Sequence, residues 1–332
     1  MNRFISFIIK NGMKAPKFIR YLGVRILALI HYPSVFVNYI LHNKDKFEYE
    51  IGIVAIMKNE APYIKEWIEY HIYSGVEKFY LYDNESTDNT KEVLKEYIQK
   101  GIVEYIYYPG RGTKIQINAY ADAVRRCRNK IKWLAVIDID EFIVPVSKQK
   151  IIDVINDIEE NLMRDKHKKL FGLAVRWVRY GYCGHYKKPE GLVIENFKKN
   201  DGAFVLMKSI LNPRAAFFVA PSALHTPLYL DLGFGVTETG EKNPWEADIS
   251  VNKIRINHYI TKSYEEYKQK ILRNKTGWPE ISYSLPEYEP DYLSTRYDTI
   301  MDKYINHLRP IISGGCSGDI LYSGNKDTGI PV

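Results

Sequence analysis

Three carboxylates close the run Trp133-Leu134-Ala135-Val136-Ile137-Asp138-Ile139-Asp140-Glu141-Phe142. Read as one strand, alternation sends Asp138 and Asp140 to one face and Ile137 and Ile139 to the other. Two carboxylates so close repel each other, and burying them unpaired is costly. A divalent cation removes both penalties. Oxygen ligands suit Mg²⁺ or Mn²⁺, which can also bridge phosphate oxygens. The alternative is a strand end whose acids face water.

The surrounding elements bring further polar groups towards these acids. Ile51 to Met57 is almost wholly apolar, as expected of a strand covered on both faces. Pro62 opens a helix with Ile64, Trp67, Ile68 and Ile72 at helical spacing, and Gly75 lies past its end. A second strand over 78–82 runs into a polar turn at 83–90. The next helix buries Val93, Leu94, Tyr97 and Ile98 and stops at Gly101. A third strand covers 103–108, a loop follows at 109–112, and a helix spans about 116–129. Strands alternating with helices predict an α/β fold with a largely parallel, doubly wound sheet. Such sheets bind ligands beyond the C-terminal ends of their strands. The tails there read Lys58-Asn59-Glu60, Asp83-Asn84-Glu85-Ser86, Gly110-Arg111-Gly112 and Asp138-Ile139-Asp140. This convergence favours a ligand site over a solvated sheet edge. No GxGxxG follows the first strand and no GxxxxGK[ST] occurs, so neither a dinucleotide fingerprint nor a P-loop is supported.

Residues 170–330 read as mixed α/β. Strands are expected over 170–180, 208–213, 220–225 and 254–259, with a Gly-rich turn at 181–185. Ser263 and Glu266 form a capping box for a helix ending near Arg273. The C-terminal stretch is Pro- and Tyr-rich and irregular, with one helix expected around 299–308. The expected division is an N-terminal segment (1–50), two halves of one domain (51–145 and 146–275) and a C-terminal extension (276–332).

The net charge of +7 suits an anionic partner such as nucleotide phosphates or an anionic membrane surface; no nucleic-acid module is present. The 27 tyrosines offer rings that stack on sugars or bases, besides ordinary packing. Cys127, Cys183 and Cys316 lie far apart and form neither a zinc pattern nor a disulfide framework, which fits a reducing, cytoplasmic compartment. Residues 1–50 mix Arg3, Lys10, Lys14, Lys17, Arg20 and Arg25 with many apolar side chains. Arg25, His31 and Pro33 argue against a spanning helix, and no compact apolar core precedes a cleavage site. Two readings stand: a basic amphipathic segment lying on an anionic membrane, or helices packing on the domain.

Several motifs occur in one order: Lys58-Asn59-Glu60, Trp67 with Glu69-Tyr70-His71, Asp83-Asn84-x-Ser86-x-Asp88, Gln116 with Ala119-Tyr120, and Asp138-Ile139-Asp140-Glu141-Phe142. Trp177 with Tyr180-Gly181, Gly184-His185, Lys208-Ser209-Ile210 with Pro213, His225, and Asn257-His258-Tyr259 follow. The stretch from Ile53 to Pro145 resembles the nucleotide-sugar-binding half of a GT-A glycosyltransferase. The whole set, over roughly 51–275, resembles glycosyltransferase family 92 and its bacterial relatives in the family-2-like superfamily. The resemblance implies a GT-A-type doubly wound mixed sheet, with a Rossmann-like nucleotide half and an acceptor half. It implies Mn²⁺ or Mg²⁺ held by Asp140, with Asp138 towards ribose or metal and His258 completing the shell. On its residues alone, His258 reads as a packed strand histidine. Asp83 would face uracil or ribose. Lys58, Asn59 and Glu60 would line the nucleotide pocket with Asn84, Ser86, Asp88 and Gln116, and Arg111 would either pair with the diphosphate or lie solvated.

The implied chemistry is inverting transfer of a hexose, with galactose expected, from a UDP-sugar to a glycan or glycolipid acceptor. The implied setting is surface polysaccharide or lipopolysaccharide synthesis at the inner face of a bacterial membrane. A general base is then needed. Glu246 is the first candidate and Asp248 the second, with Glu141, Asp231 and Glu238 behind; Trp177 and Trp245 offer faces to a sugar. Two other classes compete. A nucleotidyltransferase would use similar carboxylates, but its Gly-rich signature loop is absent. A non-catalytic sugar- or nucleotide-binding protein could share the fold.

Overall fold

The expected β/α alternation is present in the structure, a computed structural model that describes residues 17–166, 168–217, 227–277 and 287–314. Helix α1 (Lys17–His42) leads into β1 (Tyr49–Met57), α2 (Ile64–Tyr73), β2 (Lys78–Asp83), α3 (Thr90–Gln99), β3 (Val103–Tyr107), α4 (Thr113–Cys127) and β4 (Ile131–Val136). Next come β5 (Glu141–Pro145), α5 (Ile151–Lys166), β6 (Gly172–Tyr180), α6 (Val193–Asn196), β7 (Lys199–Leu211), β8 (Ala216–Phe217) and β9 (Leu228–Tyr229). The described chain ends through β10 (Ile254–His258), α7 (Tyr264–Gly277), β11 (Arg296–Tyr297) and α8 (Asp302–Ile312).

One mixed sheet runs β3-β2-β1-β4-β7-β6-β10-β5, with β11 added to β7. The first four strands are parallel, as the sequence predicts. β7 then runs antiparallel to both β4 and β6. Helices cover both faces. Trp67 and Ile68 of α2, Leu94 of α3, Ile155 of α5 and Leu308 of α8 pack into the core on one side. Tyr120, Ala123 and Cys127 of α4 pack on the other. The fold is therefore α/β and doubly wound, with a sheet that is mixed rather than mostly parallel.

Two boundaries differ from those expected. The 133–142 run is not one strand. Its last ladder bond is Ile137 N–H to Val54 O (3.2 Å), and Asp138 N–H turns instead to Glu141 Oε2 (2.9 Å). The chain leaves the sheet there and returns as β5 at the opposite edge, antiparallel to β10. Asp138 and Asp140 thus sit in a turn, and strand alternation is not what places them. The strand expected over 208–213 is the end of the long β7, while the one expected over 220–225, with His225, lies outside the described residues. The capping box forms, with Ser263 N–H and Oγ bonded to Glu266 Oε2 (3.2 and 2.6 Å). The C-terminal helix forms over α8.

Two buried titratable groups lock α2 in place. His71 bonds Trp67 O through Nδ1 (2.8 Å) and accepts Ile143 N–H at Nε2 (3.2 Å), which fixes a neutral ring between α2 and β5. Glu66 accepts the N–H groups of Val193 (2.8 Å) and Ile194 (3.1 Å). Burial lifts its pKa to about 7 from an ordinary 4.5, outweighing those two donors. A carboxyl that keeps its proton in the fold contributes stability fully below about 4.5, and this is lost as pH rises through about 7. Between pH 5 and 8 the urea midpoint of the wild type is therefore expected to fall more steeply than that of Glu66→Gln. The difference in stability change should reach about 2–3 kcal/mol. Parallel pH profiles for the two proteins would refute this.

Candidate active site

The strand-end loops carry their own scaffolding. Asn59 lies in the left-handed region (φ 58°); its N–H donates to Ser86 Oγ (2.9 Å), and its side-chain oxygen accepts Thr87 N–H (2.7 Å). Asp88 accepts the N–H groups of Ala61 and Thr90 (3.1 Å each). Asn84 Nδ2 donates to Tyr108 O (3.1 Å) and Gly110 O (2.9 Å). Asp83, buried at the end of β2, accepts Ser86 N–H (2.9 Å) and the Tyr105 hydroxyl. These residues bind the three loops beyond β1, β2 and β3 to one another. Glu60 lies 3.8 Å from Lys262 Nζ, and Arg111 is exposed on its loop.

The turn after β4 gathers the acids. Lys208 Nζ, from β7, donates to Asp138 Oδ2 (2.8 Å) and sits 3.6 Å from Glu141 Oε2. Gln116 Nε2 and the Tyr120 hydroxyl, both from α4, donate to Asp138 Oδ1 (3.0 Å each). Burial pushes the Asp138 pKa up, but Lys208 outweighs it and the net position lies below the usual range. Both Asp138 oxygens are thus satisfied by protein donors.

Asp140 is held differently. Lys270 Nζ, from α7, donates to its Oδ2 (2.5 Å), and His258 Nε2 lies 3.6 Å from its Oδ1. The Asp140 carbonyl accepts Tyr259 N–H (2.9 Å), which ties the turn to the end of β10. Burial again opposes ionisation, but Lys270 and His258 hold the carboxyl well below its ordinary value. His258 is packed against Trp177 (ring centroids 4.5 Å), and burial lowers its pKa despite Asp140. Its Nδ1 faces Glu141 Oε1 at 3.9 Å, and neither atom has a hydrogen-bond partner among the described residues. Glu141 is fully buried, and burial, reinforced by the two aspartates, raises its pKa well above normal in spite of Lys208.

The structure therefore brings together Asp138, Asp140, Glu141, His258 and Gln116 of the expected residues. It adds Lys208, Lys270 and Tyr120. Lys208 and Tyr120 stand within motifs already visible in the sequence. Lys270 gave no signal, being one of several lysines on a polar helix. Glu246 and Asp248 are exposed in the loop after Pro244. Arg176 of β6 anchors that loop through the carbonyls of Pro244 and Ala247 (3.1 Å to the latter), and no described contact joins either acid to the cluster.

A divalent cation fits part of this arrangement. Among the described residues no three His, Cys, Asp or Glu side chains converge as a preformed cage. Asp140 Oδ1 and His258 Nε2 lie 3.6 Å apart, close enough to share one cation. Two protein ligands suit a cation that keeps waters and takes the rest of its shell from substrate phosphates.

The sequence model of glycosyltransferase family 92 matches residues 54–276. A glycosyltransferase family 92 protein of Oryza sativa subsp. japonica is 26% identical over 250 residues, covering 75% of this chain and 39% of that protein. Galactan beta-1,4-galactosyltransferase GALS2 of Arabidopsis thaliana is 32% identical over 130 residues, covering 36% of this chain and 25% of that protein. The chain spans well under half the length of these relatives. The crystal structure of S. aureus TarS 1-349 superposes with a TM-score of 0.35 at 12% identity, covering 81% of this chain and 74% of that one. That overlap is too slight to bear on function.

Proposed function

The chain belongs to glycosyltransferase family 92, and from that premise we propose that it is a metal-dependent, inverting glycosyltransferase using a UDP-sugar. The observation that carries this reading is the Asp140–His258 pair, 3.6 Å apart, beside an Asp138 already satisfied by Lys208, Gln116 and Tyr120. Asp140 and His258 would hold Mn²⁺ or Mg²⁺, and Asp138 would face the ribose side. Glu141 Oε1, 3.9 Å from Nδ1, would favour a His258 tautomer protonated at Nδ1, which would leave Nε2 free to hold the cation. When bound, the cation would supply electrostatic stabilisation of the departing diphosphate.

The chain's own groups do the rest. Lys270, on a flexible stem and partly exposed, is within reach of a phosphate that approaches Asp140. The loops knitted by Asn59, Asn84, Ser86 and Asp88 form the rigid floor on which Lys58, Glu60, Asp83 and Arg111 would meet the nucleotide. Inversion requires one displacement: the acceptor oxygen bonds the anomeric carbon, the anomeric C–O bond to the diphosphate breaks, and the acceptor proton passes to a carboxylate. Glu246, on the exposed loop anchored to β6, is the proposed base, with Asp248 second.

Galactose is proposed as the transferred hexose because one relative is named as a galactan galactosyltransferase. The two relatives compared are plant proteins, so the acceptor is proposed only by class, a glycan or glycolipid. Calorimetry with a panel of nucleotide sugars, with and without Mn²⁺, tests the reading. Metal-dependent binding of one UDP-sugar is expected. Binding of a nucleoside triphosphate in preference to every nucleotide sugar would overturn it in favour of nucleotidyl transfer.

A further inference from the structure

Helix α1 has two unlike sides. Val35 is buried, and Tyr32 and Tyr39 pack with it against Phe217, Leu228 and Phe171 on the β8–β9 side of the fold. Asn38 reaches Asn129 (3.4 Å) on the same flank. The other side carries two rows at seven- and four-residue spacing, Leu29-Phe36-Ile40 and Ile30-Val37-Leu41. Such spacing places all six on one helical face. Each is between 43% and 70% exposed, and together they are half of the large apolar side chains exposed among the described residues. Isolated exposed apolar residues are ordinary, but a contiguous stripe marks a contact surface.

Charge identifies what the stripe meets. Residues 1–44 contain seven Lys and Arg and no Asp or Glu. The remainder of the chain is balanced, 40 basic against 40 acidic. The whole net charge of +7 thus lies in the segment that presents the apolar face. A second protein copy would bring the same excess positive charge against itself. An anionic lipid surface satisfies both features, since acyl chains take the apolar row and headgroups take the cations. Among the described residues no helix is long and apolar enough to cross a membrane.

We propose that α1 docks the protein on an anionic bilayer, lying in the interface with Leu29, Ile30, Phe36, Val37, Ile40 and Leu41 inserted. This goes beyond the transferase reading and does not depend on it. Flotation of the full chain with vesicles tests it, using phosphatidylcholine alone and phosphatidylcholine with about one third phosphatidylglycerol. The wild type should bind the anionic vesicles at least about tenfold more tightly, and high salt should weaken that binding. Phe36→Ser with Leu41→Ser should weaken it by about tenfold or more, with an unchanged circular dichroism spectrum. Equal binding by wild type and variant, or no binding to the anionic vesicles, would overturn the proposal. So would a discrete dimer in light scattering that these substitutions dissociate, which would assign the face to a second copy. Nucleotide binding, measured on the same samples, separates this outcome from failure of the donor reading.

Discussion

Asp140→Asn should lower kcat/KM for sugar transfer by about a thousandfold or more, the scale of losing a principal electrostatic contact to the leaving group. Asparagine keeps the shape and one acceptor oxygen. It removes the charge that faces Lys270 at 2.5 Å and the anionic oxygen that faces His258 at 3.6 Å. Mn²⁺ affinity, read by electron paramagnetic resonance in the presence of UDP, should fall in parallel, which a purely structural defect would not require. The fold should persist at neutral pH, because Lys270 is partly exposed and can rehydrate. The stability difference from wild type has a definite sign. The folded pKa of Asp140 is depressed, so its contribution is present above the unfolded carboxyl value and is lost as pH falls through the folded one. The two proteins should therefore converge in acid. A variant within tenfold of wild type in both activity and metal affinity would remove Asp140 from the metal site.

Lys208→Met should be the most damaging single change to stability near the site. The Lys208 ammonium is almost wholly buried and serves two carboxylates, Asp138 at 2.8 Å and Glu141 at 3.6 Å, the second fully buried. Methionine matches the stem but leaves Asp138 without its cation and removes the charge that partly offsets the burial of Glu141. Breaking a buried pair from one side costs about 3–5 kcal/mol, because the remaining charge stays desolvated. The deficit should be greatest above neutrality and shrink in acid, as Asp138, whose pKa Lys208 holds below the usual range, takes up its proton. Lys208→Met combined with Glu141→Gln should cost less than the sum of the two changes, since both relieve the same cluster. Urea denaturation at pH 5 and pH 8 measures this, and a loss below about 1 kcal/mol at pH 8 would show that Lys208 is not the counter-ion.

Much of this arrangement was legible in the residues. Nearly continuous apolar runs gave β1 and β2, and helical spacing with Pro62 and Gly75 bounded α2. The Asp138-x-Asp140-Glu141 pattern located the acid cluster, and Ser263 with Glu266 located the start of α7. Other features were hidden for physical reasons. Asn200, Asp201 and Gly202 are turn-favouring residue types, yet they lie within β7. Asn200 accepts Gly202 N–H locally (2.9 Å), and β11 pairs across it. Lys208 reads as a strand lysine until β7 sets it between two acids. Lys270 reads as one solvated lysine among several until α7 packs its stem towards Asp140.

The sequence by itself determined the α/β class, the parallel direction of the first strands and the identity of the acids, because periodicity and turn chemistry are local. Only the tertiary structure decided that the chain turns out of the sheet at Ile137, that β5 crosses to the far edge, and which cation neutralises which carboxylate. It also decided which face of α1 the domain covers and which it leaves exposed. Those choices rest on contacts between residues far apart in the chain. The electrostatics of a buried charge depend on the partners that surround it in space rather than on its neighbours in sequence.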